Sequence, residues 1–316
     1  MRYLVLDVGG SSIKYALMTE DLEFIERGKK PTPLDKIESF IDVIGEIYDI
    51  YKDDIEGMAI SMPGVLDSEK GYAYTGGALS YNEGKEIVKI LKERCPTKIT
   101  IENDGKCAAL AEVWKGSLKD FDDGVVIVLG TGVGGGIVRN KKIHKGKNFF
   151  AGEFSFINTN VNNTENTDEC WGSISGSKAL INEVAKVKSL QPDELDGYKI
   201  FEYANNNDPD ILEILDDFTY KLAVQIFNLQ CILDPEIFAI GGGISSQEIL
   251  IQYIKRNVDK YHKSFEIDDL PLPNVVGCKF RNDANLIGAL YNFITSKWNM
   301  IVLNVGGILW KNIISI

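Results

Sequence analysis

Two apolar runs in this chain each break into a glycine-rich turn and then resume as a second apolar run. The first is Tyr3 to Asp7, then Gly9-Gly10-Ser11-Ser12, then Ile13 to Leu17. The second is Val125 to Leu129, then Gly130-Thr131-Gly132-Val133-Gly134-Gly135-Gly136, then Ile137-Val138. Glycine has no Cβ and accepts positive φ, so such turns can bring several backbone N–H groups to one anion. A single turn of this kind is an ordinary hairpin. Two in one chain, each with a carboxylate or hydroxyl, point to a nucleotide held between two similar halves.

If Gly10 and Ser11 form a two-residue loop, the cross-strand pairs are Gly9 with Ser12, Val8 with Ile13 and Asp7 with Lys14. Acid and ammonium then share one face at the mouth of the turn. Asp7 is placed to organise a hydrated Mg²⁺, which keeps most of its waters, and Lys14 to meet a phosphate as a point charge. The plain alternative is a surface ion pair, which contributes only about 0.2–1 kcal/mol.

At 316 residues and 44% hydrophobic content the chain can fill two cores. Its 34 basic and 46 acidic side chains leave a net charge of −12, which argues against nucleic-acid or anionic-membrane partners and for small molecules. Five scattered cysteines, without C-x-x-C spacing, predict neither a disulfide framework nor a zinc knuckle, and suit a reducing cytoplasm. The start lacks the pattern of a signal peptide. The apolar stretch from Met300 to Trp310 is too short to span a bilayer, so no membrane role is expected. It leaves 297–316 as an extra strand or an unpaired tail.

Periodicity predicts strands at 2–8, 13–18 and 23–29, then a helix through Ile37, Phe40, Ile41, Ile44, Ile47 and Tyr48, and a strand from Ile55 to Ser61. Glu86 to Arg94 reads as helix, Lys98 to Ile101 as strand, and Asp104 to Trp114 as helix. After Gly116-Ser117 the pattern restarts with the second hairpin. A polar loop at 158–170, helices near 176–187 and 208–233, a strand at Glu236 to Ile240, a Gly241-Gly242-Gly243 turn, and a helix capped by Ser245 or Ser246 follow. A strand near 275–279 and a helix from Asp283 to about Ser296 close the pattern. The expected architecture is two α/β domains with a cleft between them: 1–117, with the 283–296 helix packing back on it, and 118–282.

Asn103-Asp104 falls where a strand hands over to a helix, a position that presents side chains beyond a sheet edge. Asp104 reads locally as a helix N-cap. The functional alternative to that first reading is a base that accepts the proton of a hydroxyl attacking a γ-phosphoryl group, with Asn103 binding neighbouring hydroxyls. One carboxylate cannot fill both roles well.

Asp7 to Lys14, Ser61-Met62-Pro63-Gly64, Glu102-Asn103-Asp104 with Ala108-Ala109-Leu110, Leu129 to Gly136, and Ala151-Gly152-Glu153-Phe154 resemble the successive signatures of ROK sugar kinases, in order and spacing, from residue 1 to about 296. The resemblance implies two ribonuclease-H-like domains of the actin-like ATPase superfamily that close around ATP and a sugar. It implies that Asp7, Gly9, Gly10, Ser11 and Lys14 form one phosphate site and Gly130, Thr131, Gly132 and Gly134 another, with Gly241, Gly242 and Gly243 on the adenosine side. It makes Asp104 the base, Asn103 and Glu153 sugar ligands, and Gly77, in Tyr74 to Asn82, part of a sugar wall like that of zinc-less relatives.

The departures lie in the sugar and zinc region. Phe156 stands where family members carry a histidine that touches sugar and joins three cysteines on zinc. Cys170 alone cannot complete a tetrahedral site, so no zinc is expected. Trp171 or Gly172 falls nearest the glutamate that usually follows those cysteines; Trp171 could stack on a pyranose or close a core. The resulting expectation is an ATP- and Mg²⁺-dependent kinase acting on a hexose or derivative at O6, in the cytoplasm, with a homodimer as one arrangement open to it. The alternative is a non-catalytic sugar- or metabolite-binding protein of the same family. A DNA-binding regulator is disfavoured, because family regulators carry a winged module before the first turn and Asp7 here follows six residues.

Overall fold

The computed structural model describes residues 1–296; the expected tail at 297–316 lies outside the described residues. Two compact units emerge: Met1–Ala111 with the described residues from Asn285 onward, and Glu112–Ala284.

The first unit contains β1 (Arg2–Val8), β2 (Ser12–Thr19), β3 (Phe24–Pro31), α1 (Ile37–Tyr51), β4 (Met58–Met62), the short hairpin β5 (Leu66–Asp67) and β6 (Tyr72–Ala73), α2 (Ile87–Arg94), β7 (Ile99–Asn103) and α3 (Asp104–Lys115), which runs on into the second unit. A closing helix over 284–296 completes it. The sheet order is β3-β2-β1-β4-β7. The first three strands are antiparallel, and β1, β4 and β7 run parallel. β1 is buried almost throughout because both of its faces are covered, which is why it reads as a continuous apolar run. Leu4, Leu6 and Val8 share a core with the Phe40, Ile44 and Ile47 stripe of α1.

The second unit repeats this plan. It contains β8 (Gly124–Leu129), β9 (Val133–Arg139), β10 (Lys142–His144), α4 (Trp171–Ser175), α5 (Ser177–Lys188), α6 (Gly197–Asn205), α7 (Pro209–Leu233), β11 (Ile237–Gly241), α8 (Glu248–Lys263) and β12 (Val275–Gly277). Its order, β10-β9-β8-β11-β12, places three antiparallel strands beside two parallel ones, as in the first sheet. The long α7 starts on Pro209 behind the Asp208 cap and lays Leu215, Phe218, Leu222, Ile226 and Leu229 into the core.

Two local expectations change, and one open alternative closes. Neither Ser245 nor Ser246 caps α8: both lie in a single 3₁₀ turn, Gly243–Ser246, and Ser245 Oγ donates to the Gly242 carbonyl at 2.8 Å. α6 lies outside the expected elements: it is nine residues long and starts on a glycine, although Ile200, Phe201 and Ala204 share its buried face. Trp171 closes a core; it is fully buried, with its ring 5.5 Å from that of Phe154.

Candidate functional site

The first hairpin has the register that its sequence predicts, with Asp7 opposite Lys14, Val8 opposite Ile13, and Gly9 N–H donating to the Ser12 carbonyl at 3.0 Å. Lys14 Nζ stands 3.5 Å from Asp7 Oδ2. The other carboxylate oxygen accepts the amide of Asn285, from the closing helix, at 2.9 Å. Buried Thr32 ties the turn down, its hydroxyl donating to the Gly9 carbonyl at 2.7 Å and its N–H to that of Ser11 at 3.3 Å. Gly10 and Ser11 stay exposed at the tip. Asn285 and Thr32 belong to no motif and lie far from the hairpin in sequence, so no local signal marks them.

At the β7–α3 junction the two candidate residues divide their duties. Asn103 Oδ1 accepts the Lys106 N–H at 3.1 Å, the bond of an N-cap, and α3 starts on Asp104. Asn103 Nδ2 donates to the Gly64 carbonyl at 3.1 Å. Asp104, half-buried, accepts the Gly105 N–H on Oδ1 at 2.8 Å. The amide of Asn103 is therefore largely committed to backbone and carries the Pro63-Gly64 turn. Gly64 has φ 106°, and a Cβ there would overlap the Thr75 carbonyl. That contact seats the Thr75 to Gly77 loop, where Gly77 lies against Pro63 and Val65 N–H donates to Thr75 Oγ1 at 3.0 Å. Behind them Glu102 and Lys106 are buried in the same unit, and burial together with the Glu102 charge pushes the Cys107 thiol well up.

In the second unit Gly130, Thr131 and Gly132 form the turn between Leu129 and Val133, whose residues pair directly. Ser155, outside every motif singled out above, locks this turn: its hydroxyl accepts the Val133 N–H at 3.0 Å and donates to the Val133 carbonyl at 2.9 Å. The turn also rests on α5, whose Ser177 N–H donates to the Gly130 carbonyl at 2.7 Å. Gly134 lies within β9 opposite Val128, while Gly135 and Gly136 make room for Gly152, whose would-be Cβ is 3.0 Å from the Gly135 carbonyl. This close approach sets Glu153 at the start of a one-turn helix, Phe154–Phe156. Phe156 is 66% exposed, with its ring 5.4 Å from that of Phe150. A side chain at Gly172 would overlap Ser155, so neither Trp171, which is buried, nor Gly172 supplies a carboxylate here.

Gly241 ends β11, and Gly242 has φ 96°, where a Cβ would strike the backbone of Leu129. That requirement brings Gly243 beside the Gly130-Thr131 turn. Together they border a cavity of about 430 Å³. Leu180, Ile181, Leu195, Ile200, Phe201 and Ile244 give it apolar walls, and Asp196, Tyr198, Ser246, Gln247 and Asn282 give it polar atoms. Apolar walls with a few convergent polar groups are the usual make-up of a small-molecule site. Among the described residues no group of three or more His, Cys, Asp or Glu could hold a metal ion. No described helix is long and apolar enough to cross a membrane.

This pair of like sheets, each with a glycine hairpin, is the two-domain actin-like ATPase fold of ROK sugar kinase structures. The chain belongs to the ROK family, whose model matches residues 3–295. It is 27% identical over 314 residues to a beta-glucoside kinase of Listeria innocua, with 94% of this chain and 99% of the relative covered. Among solved structures, it resembles a ROK family protein from Streptococcus pneumoniae in complex with sucrose, at 25% identity and TM-score 0.83, with 95% and 100% of the two chains covered. It also resembles a ROK family glucokinase from Streptomyces griseus in complex with glucose and AMPPNP, at 22% identity and TM-score 0.78, with 92% and 98% covered.

Proposed function

We propose that this protein is an ATP-dependent sugar kinase that moves the γ-phosphoryl group to a hexose-type hydroxyl at C6, with Asp104 accepting the hydroxyl proton. One observation carries the assignment of the base: Asn103 caps α3, so Asp104 is relieved of the structural role that competed with catalysis. Membership of the ROK family and the kinase activity of the Listeria innocua relative support the reaction class.

In this reading the backbone N–H groups of Gly130, Thr131 and Gly132 bind phosphate, the cavity beside Gly243 takes the nucleoside, and Lys14 adds a point charge. Asp7 fits a hydrated Mg²⁺: among the described residues its oxygens accept one amide and a 3.5 Å ammonium, leaving lone pairs for ordered water. When bound, that ion neutralises phosphate charge. Asp104 takes the proton as the sugar oxygen attacks, Glu153 holds hydroxyls near the anomeric end, and the Gly77 loop and Asn103 shape the wall. Because phosphoryl transfer has a loose transition state, these residues act by placement and charge.

An ADP-release assay with glucose, N-acetylated hexosamines and β-glucosides tests this. The expected result is sugar-dependent ADP with at least one of them and a product phosphorylated at O6. A second reading, a sugar-binding protein without turnover, draws on exposed Phe156 and on Gly172, where no carboxylate fits. Sugar binding with ADP at background would favour it.

A further inference from the structure

The cavity beside Gly243 carries at its edge two side chains that no motif includes. Tyr198 is 78% exposed, although it lines the cavity. An aromatic ring this exposed adds little to the fold and is available to cover a flat apolar ligand. Asp196 is the N-cap of α6, and its Oδ1 accepts the Lys199 N–H at 2.9 Å. No hydrogen bond to its Oδ2 appears among the described residues. A cap needs one oxygen, and serine supplies it as well as aspartate does. The second, charged oxygen is therefore surplus to the helix, on an exposed residue that lines the cavity.

Chemistry narrows what that oxygen can bind. Gln247 and Asn282 offer both donors and acceptors, as the edge of a nucleobase requires, whereas a carboxylate oxygen only accepts. It must face a donor, and a ribose hydroxyl is the donor that a carboxylate takes in other nucleotide sites. We infer that Asp196 Oδ2 accepts a hydrogen bond from a ribose hydroxyl while Tyr198 lies over the base, so that this pocket selects ribonucleotides over deoxyribonucleotides. The inference rests on the nucleotide reading of the preceding subsection.

Calorimetric titration of the whole protein with ATP, 2′-deoxy-ATP and 3′-deoxy-ATP tests it without any turnover. The wild-type protein is expected to bind at least one deoxy analogue roughly ten- to hundredfold more weakly than ATP, the value of a hydrogen bond to a charged partner. Asp196→Ser keeps a capping hydroxyl; it should bind ATP weakly and all three nucleotides alike. Tyr198→Ala should loosen all three by a similar factor, about three- to tenfold, and Tyr198→Phe should restore them. Equal wild-type affinities, or full discrimination in Asp196→Ser, overturn the ribose contact. Unchanged affinity in Tyr198→Ala overturns the stacking role. ATP binding without discrimination defeats this inference alone, whereas failure of ATP to bind defeats the kinase reading and this inference with it.

Discussion

At the scale of single residues, the division of labour at the β7–α3 junction makes the proposed base separable from the fold. Asp104→Asn keeps the Asn103 cap and an oxygen for the Gly105 N–H. It should therefore melt near the wild-type temperature and bind ATP normally, while kcat falls by about 10²–10⁴; near-normal turnover would remove Asp104 from the mechanism. Asn103→Ala should behave differently. It loses both the cap and the bond to Gly64, so a stability loss of about 1–2 kcal/mol in urea titration is expected together with impaired sugar affinity. The sequence placed both residues at the junction, and the Asp7–Lys14 pairing followed from hairpin arithmetic alone. It could not show which neighbour caps the helix, because capping depends on a one-residue choice of where helical dihedrals begin.

At the scale of elements, the strands and long helices were legible because burial imposes periods of 2 and 3.6 on the side chains. The pieces that finish the site were not. α6, with Asp196 and Tyr198, is short and starts on a glycine, and Ser155 and Thr32 act through hydrogen bonds to backbone, which leave no pattern. Trp171 shows how packing supports the second hairpin: Trp171→Ala should cost about 3–5 kcal/mol in urea titration, whereas Trp171→Phe should cost far less. The β5–β6 hairpin contains a pH-sensitive element. Burial alone pushes the Asp67 carboxyl up, but the backbone N–H and ammonium of Lys70 outweigh it and hold the group below its ordinary range. Its contribution is thus present above the unfolded value of about 4 and lost as pH falls through the folded one. Asp67→Asn should be less stable than wild type at pH 7, and the gap should narrow toward pH 3; a gap that widens on acidification would contradict the sign.

For the whole molecule, each unit has its own sheet and core, and the cysteines report on both. Burial pushes the Cys95 thiol up to about 11 and raises Cys107 and Cys278 well above the ordinary thiol value, whereas Cys231 is exposed. A disulfide reagent at pH 8 should label Cys231 quickly, half-buried Cys278 more slowly, and Cys95 and Cys107 only after denaturant is added. Rapid labelling of Cys107 in native protein would mean that the first core opens readily. The order in which the units can form follows from the chain path. The opening unit includes the helix over 284–296, and among the described residues Asp7 takes its amide partner from Asn285. On a ribosome, where residues emerge one after another and contiguous segments fold as units, the middle of this protein can settle while its beginning still waits for its end. Premature stop codons just after residue 284 would therefore spare the later-starting half and leave the first to be synthesised unfinished.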